Sequence, residues 1–243
     1  MLEKYYLFII LALFSEIIGT VSGFGSSILF VPVASMFFDF KTVLGITAVF
    51  HVFSNLSKIA LFRKGVNKNI ALKLGIPAVI FVIIGAWFTT FLPTQKMELL
   101  MNILLVALSI YLLINFNKTV QQTNTNLYLG GIVSGFLAGL VGTGGAIRGI
   151  TLAAFQLSKD IFIATSALID LGVDVSRAIV YVSNGYFRKE YLILMPFLII
   201  ISILGSYIGK IILKYTSETT FRYIVLTIII LTSIFQTLKY FHQ

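Results

Sequence analysis

Long apolar runs separated by short polar or charged stretches fill this chain. They cover residues 5–22, 26–38, 42–62, 70–92 and 97–116, then 127–141, 145–157, 161–183, 190–213 and 219–239. Between the two sets lies a polar stretch at 117–126, NKTVQQTNTN, with the composition of a solvated linker. Most runs reach the roughly 20 apolar residues that a helix needs to cross about 30 Å of hydrocarbon. The second run of each set is shorter, spanning only about 20 Å at 1.5 Å per residue. The pattern predicts an all-α, polytopic membrane protein. A first membrane repeat occupies 1–116, a polar linker 117–126 and a second repeat 127–243.

The repeat is checked residue by residue. A shift of 119 carries Gly23 onto Gly142, Gly25 onto Gly144, Ala48 onto Ala167, Ser57 onto Ser176, Lys58 onto Arg177 and Pro77 onto Pro196, without a gap. Chance agreement among apolar segments seldom aligns Gly, Pro and basic residues at one constant spacing. If each short run completes the crossing begun by the run before it, each half is a glycine-broken first helix followed by three spanning helices. That gives about eight crossings and parallel halves, the preferred arrangement. If the short runs cross separately, or fold back as re-entrant hairpins, each half has odd parity and the halves are inverted.

Composition narrows the class. Hydrophobic residues make up 58% of the chain and charged residues 11%, with a mean hydropathy of +0.99. A soluble domain carries about 25% charged residues, so a soluble enzyme, a disordered chain and a nucleic-acid-binding module are excluded. The excess of 18 Lys+Arg over 9 Asp+Glu is therefore read through the positive-inside rule. In the parallel arrangement one side holds Lys4, Arg63, Lys64, Lys68, Lys73, Lys118, Arg188, Lys189 and Lys239. The other holds Lys41, Lys96, Lys159, Lys210, Lys214 and Arg222. That bias places both termini and the linker in the cytoplasm. The first run follows Glu3 and Lys4, has no A-x-A-like cleavage site and is expected to be retained. Cys is absent and His occurs only at 51 and 242, so neither a metal site nor a cofactor is expected.

Two glycine clusters carry the first candidate chemistry. One runs Gly19, Ser22, Gly23, Gly25, Ser26, Ser27; the other runs Gly139, Gly142, Thr143, Gly144, Gly145, Ala146, Arg148. Clustered glycines release the backbone from helical geometry, and at membrane depth such backbone survives only against protein or a water-filled cavity. The short helix after each break starts with N–H groups that lack intrahelical acceptors. With the positive dipole end they form an anion site. Ser22, Ser26, Ser27 and Thr143 add hydroxyls, and Arg148 adds a full charge. Paired broken helices in two halves point to a transporter's binding site. Gly131, Gly135 and Gly139, at four-residue spacing, fit close helix packing instead.

The third long run carries the second. Asp170, Asp174 and Arg177 share one helix face, and the repeat sets His51, Asn55 and Lys58 at the same positions. Ionisable residues in a span face the bundle interior or a water path. Asp174 and Arg177 are spaced to pair, and Lys58 is near enough to the run's end to snorkel. Asn55, Asp174 and Arg177 are read as substrate contacts, with a structural Asp–Arg lock as the alternative. Asp170, His51 and Glu16 are candidates for proton coupling. Asp170 has no basic partner on its own helix, and Glu16 is the one acid of the first run, a turn before the break.

These stretches resemble the sulfite exporter TauE/SafE family of bacterial membrane permeases. The resemblance rests on GFGSSILFVP at 23–32, TAVFHVFSNLSKIALFRKG at 47–65, GLVGTGGAIRG at 139–149 and ATSALIDLGVDVSRAIVYVSNGYF at 164–187, and it extends over the chain. It implies transport of sulfite or organosulfur anions across the inner membrane. Ala146 and Arg148 stand where the family often has a third glycine and a proline-bearing helix. The expected partners are a small anion and the lipid bilayer, with a homodimer left open and no nucleic acid. Enzyme activity is not expected. The metalloprotease pattern H-E-x-x-H is missing, His51 is the one embedded base for a serine nucleophile, and Asp170 and Asp174 lie a turn apart on one helix. A passive anion channel remains the alternative to a secondary transporter.

Overall fold

A computed structural model describes residues 5–62, 65–114 and 121–215, with isolated positions at Thr227, Ile230, Ile234 and Leu238. The run at 219–239 thus falls almost wholly outside the described residues. Those residues form helices and turns only: α1 (Tyr6–Ser22), α2 (Ser27–Ala34), α3 (Phe40–Leu61), α4 (Lys68–Phe88), α5 (Thr94–Ile114), α6 (Asn124–Val141), α7 (Gly145–Ala153), α8 (Lys159–Ser183) and α9 (Met195–Tyr215). A 3-10 segment, Lys189–Leu194, leads into α9. Three stretches, Phe40–Leu61, Lys68–Phe88 and Lys189–Tyr215, are long and apolar enough to cross a membrane. The exterior is apolar: Ile76, Ile80 and Trp87 on α4 and Ile200, Ile203 and Tyr207 on α9 are exposed. Charged Glu16, Lys58, Arg148, Asp174 and Arg177 are buried. That inversion of the water-soluble pattern is what a lipid solvent requires.

Both breaks are built the same way. α1 ends at Gly23 and α6 at Gly142, each in the left-handed conformation, at φ 72° and 82°. Glycine takes that conformation at no steric cost, which is why the helices stop there. The chain then folds back. Ser26 packs on Gly19, the Phe8 and Phe30 rings lie 5.7 Å apart, and Tyr5 stacks on Phe38 at 5.5 Å. α7 returns along α6 in the same way, with Thr151 against Gly130. The short helices therefore do not complete the crossing begun by their predecessors. They form hairpins, and the preferred parallel arrangement is corrected accordingly.

The partners of the long helices fix their relative directions among the described residues. Along α3 and α8, Gly45 meets Tyr186, His51 approaches Arg177 at 3.5 Å, Asn55 bonds Asp174 at 2.6 Å and the Asn67 N–H donates to Thr165 Oγ1 at 3.0 Å. Numbers rise on one helix as they fall on the other, so α3 and α8 are antiparallel. α4 runs parallel to α6, with Leu74, Ala78 and Val82 against Gly131, Gly135 and Gly139. α9 runs parallel to α1, with Gly205 against Glu16 and Gly209 against Thr20. We call the end where α1 and α3 begin the near end and the end where α3 exits the far end. α5 exits and α6 enters at the far end, opposite the start of α1. Among the described residues, the start of α6 and the start of α1 thus lie at opposite ends, which the parallel arrangement did not expect.

The 119-residue spacing fails at the fourth helix. α6, α7 and α8 follow α1, α2 and α3 at that spacing, but α9 begins 127 residues after α4. The chain around the 3-10 segment supplies the difference. Pro77 lies inside α4 while Pro196 sits in the first turn of α9, where a missing N–H is harmless. Their sequence match is therefore not a structural one.

Candidate functional site

The two breaks meet inside the bundle. Ser27 Oγ donates to Thr143 Oγ1 at 3.3 Å, and the Phe24 carbonyl lies where a side chain on Gly145 would stand. Neither Ser26 nor Gly144 caps the short helix behind it with a side-chain bond, so both helix N-termini present backbone N–H groups here. Around them lies a cavity lined by Gly25, Ser26, Ser27, Gly142, Gly144 and Arg148 of the breaks. His51, Asn55, Lys58, Asp170, Asp174 and Arg177 of α3 and α8 complete the wall. Its volume is about 10 Å³, room for about one water. The side chains of the shared helix face thus converge on the breaks. Gly23 and Ser22 instead line a neighbouring cleft, and the Ser22 hydroxyl accepts from the Phe24 N–H at 3.3 Å.

Three ion pairs organise the charges. Lys58 Nζ sits 2.9 Å from Glu16 Oε1, which also accepts from Ser54 Oγ at 2.7 Å and Ser206 Oγ at 2.9 Å. Arg177 grips Asp174 Oδ1 through Nε and Nη2, both at 2.7 Å, while Asn55 donates to Asp174 Oδ2 at 2.6 Å. Its Nη1 donates to the carbonyls of Ala138 at 3.1 Å and Gly142 at 2.6 Å. One guanidinium therefore ties α8 to the C-terminal carbonyls of α6, where cations are favoured. Arg148, in the first turn of α7, pairs with Asp170. The expectation that Asp170 lacks a basic partner holds for its own helix and fails for the fold. Lys58 is buried against Glu16 and does not snorkel. His51 Nε2 is buried without a hydrogen-bond partner among the described residues.

Three further spaces, each sharing lining residues with the next, lie between this cavity and the far end. The outermost, of about 670 Å³, is bounded by Phe62, Lys159, Lys210 and Lys214. A cleft of about 180 Å³ follows, between Ser22, Gly23, Lys159 and Phe162. Next comes a gap of about 20 Å³ between Gly23, Gly25, Lys58 and Asp170. Towards the near end the site is walled by packed side chains. Leu44 and Val31 lie against Gly142, in a cluster with Phe30, Val141, Tyr181 and Tyr186.

Gly131, Gly135 and Gly139 pack as their spacing suggested, since a Cβ on any of them would strike a backbone carbonyl of α4. Ser54, Ser166 and Ser206 were missed. Ser54 and Ser166 stand four residues before Lys58 and Asp170 on the same faces, a signal that was present. Ser206 likewise stands four residues before Lys210 on α9, within a run otherwise read as apolar.

A bundle with an apolar exterior, a charged interior and paired broken helices is that of a polytopic membrane protein. The sequence profile of the sulfite exporter TauE/SafE family matches residues 7–235, and the chain belongs to that family. A probable membrane transporter protein of Methanocaldococcus jannaschii is 31% identical over 164 residues, 61% of this chain and 61% of the relative. The chain thus matches less than two thirds of that relative's length. No solved structure matches.

Proposed function

We propose that the chain is a secondary transporter of a small oxyanion, of the sulfite or organosulfonate class, bound where the two glycine breaks meet. The observation that carries this is the position of Arg148. Its guanidinium is buried between both breaks, where two helix N-termini, Ser27 and Thr143 converge. A guanidinium and aligned N–H groups match an oxyanion's charge and several acceptors. The sulfur in the substrate comes from the family alone.

The two sets of helices, 1–116 and 127–243, act in this proposal as inverted halves related by an axis passing near Asn55 and Asp174. The antiparallel α3 and α8 and the 119-residue separation of that bonded pair support it. Inverted repeats around a central site are the architecture of alternating access. Lys68, Lys73, Lys159, Lys210 and Lys214 lie towards the far end with Asp160. The near end has Lys41, Lys96, Arg188 and Lys189 with Asp39, Glu98 and Glu190. The positive-inside rule then sets the far end in the cytoplasm of the cell that makes the protein. In this proposal the series of spaces towards the far end is the side from which the site loads.

Proteoliposomes test the proposal. Labelled sulfite, sulfate, sulfoacetate and chloride should separate, with the sulfur oxyanions moved and chloride not. Accumulation against a gradient identifies a coupled carrier, and flux that only runs down the gradient identifies a channel. Equal movement of all four anions, or of none, ends the proposal.

A further inference from the structure

Asp170 occupies the place that the transported anion needs. Its carboxylate contacts Arg148 Nη2, and Ser166 Oγ stands 3.4 Å from both Arg148 Nε and Asp170 Oδ2. The remaining cavity of about 10 Å³ has no room for an oxyanion beside that pair. Asp170 also borders the last gap of the far-end path, so it is the carboxylate an incoming anion meets. Of the three pairs, its carboxylate is the most exposed and the least supported by other hydrogen bonds among the described residues. Its side chain is 13% exposed, against 6% for Asp174 and 0% for Glu16. Asp174 has Asn55 as a second donor and Glu16 has Ser54 and Ser206, whereas among the described residues the Asp170 pair has two long contacts through Ser166.

We propose that Asp170 is a tethered competitor that sets the charge and shape an anion needs in order to bind. This rests on the anion-transport reading of the site. An anion reaches Arg148 only by exchanging with the carboxylate, which moves into the gap shared with Lys58. A monovalent halide offers one charge and no fixed geometry, so it replaces a charge-assisted pair with a weaker contact. An oxyanion with more charge engages Arg148, the two helix N-termini and the Ser27 and Thr143 hydroxyls together. The carboxylate thereby excludes chloride from a site whose positive groups would otherwise accept it.

The test is competition by chloride against labelled sulfite on the purified, full-length chain. Chloride leaves sulfite binding to wild type unchanged, and in Asp170→Asn it competes. The gain in chloride affinity is about 100-fold or more, the factor expected when a buried charge partner no longer has to be displaced. Sulfite also binds the variant more tightly. Ser166→Ala, which keeps the ion pair, moves both values the same way by less and covers a variant that does not fold. Chloride competition in wild type, or weaker sulfite binding by a folded Asp170→Asn protein, overturns the competitor role while leaving transport intact. No sulfite binding by either protein overturns the transport reading itself.

Discussion

The first and second breaks share a sequence device and use it differently. At the second, Gly142 is closed over by Leu44 and Val31, its carbonyl is held by Arg177, and the Tyr181 hydroxyl bonds the Gly139 carbonyl one turn earlier. The helix before it lies on α4 with three glycines at backbone contact. At the first, Gly23 faces a cleft of about 180 Å³ across the Phe162 ring. Its helix carries Glu16 where α6 carries Gly135. The bulk of Glu16 is accommodated because the opposing residue on α9 is Gly205. One break is anchored by backbone and guanidinium contacts, the other by a charge and hydroxyls beside open space. Under the transport proposal, alternating access needs such a difference between the two breaks.

The charge at the first break gives the largest expected effect. Lys58→Met leaves Glu16 ionised and buried without its cation, which costs about 3–5 kcal/mol. Thermal unfolding of the detergent-solubilised protein should show a large loss. Adding Glu16→Gln to Lys58→Met should recover most of it, since an uncharged pair needs no neutralisation. If the double variant is as damaged as the single, Lys58 stabilises the fold by packing and not by charge.

The second break is tested by Gly144→Ala. At φ −137° the backbone tolerates alanine, but the added Cβ falls on the Ser134 carbonyl of α6. No side chain can swing away to relieve that, so the loss should reach the upper end of the roughly 1–3 kcal/mol for overpacking. A wild-type melting temperature would mean that the α6–α7 hairpin is looser than its contacts imply.

Arg148→Gln separates binding from folding. Losing a charge-assisted contact should weaken sulfite binding by roughly 1.5–3 kcal/mol. The glutamine leaves Asp170 near the open path, so the fold survives better than in Lys58→Met. Unchanged affinity in a folded variant would remove Arg148 from the site.

Much of this contrast was written in the sequence. Glycine at 23 and 142 marks where the helices stop, because those positions adopt the left-handed conformation that side chains disfavour. The 170, 174, 177 spacing fixed one polar face, and the Asp174–Arg177 pair followed from it. What happens after each break was not written there. Hydrophobic runs carry no direction, so a half-crossing and a hairpin look the same until Phe8 is found beside Phe30. The Arg148–Asp170 pair joins different elements, and helix periodicity is silent about such contacts. The 3-10 segment takes the place of the first turns of an α-helix before α9, which sets Pro196 apart from Pro77.

Gly25 supplies the smallest effect and the sharpest control, because it stands 119 residues before Gly144. Its φ of +82° is disfavoured for any side chain, yet the nearest atom to an added Cβ is Arg148 Nη2 at 3.8 Å. Gly25→Ala therefore meets conformational strain without a clash, about 1–2 kcal/mol, less than its counterpart at the second break. The two substitutions are chemically identical and occupy matching places after two glycine turns. A difference in their melting temperatures measures how open the first break is relative to the second. Equal losses would mean that the first break is packed as tightly as the second, and the far-end path would then have no gate at Gly25.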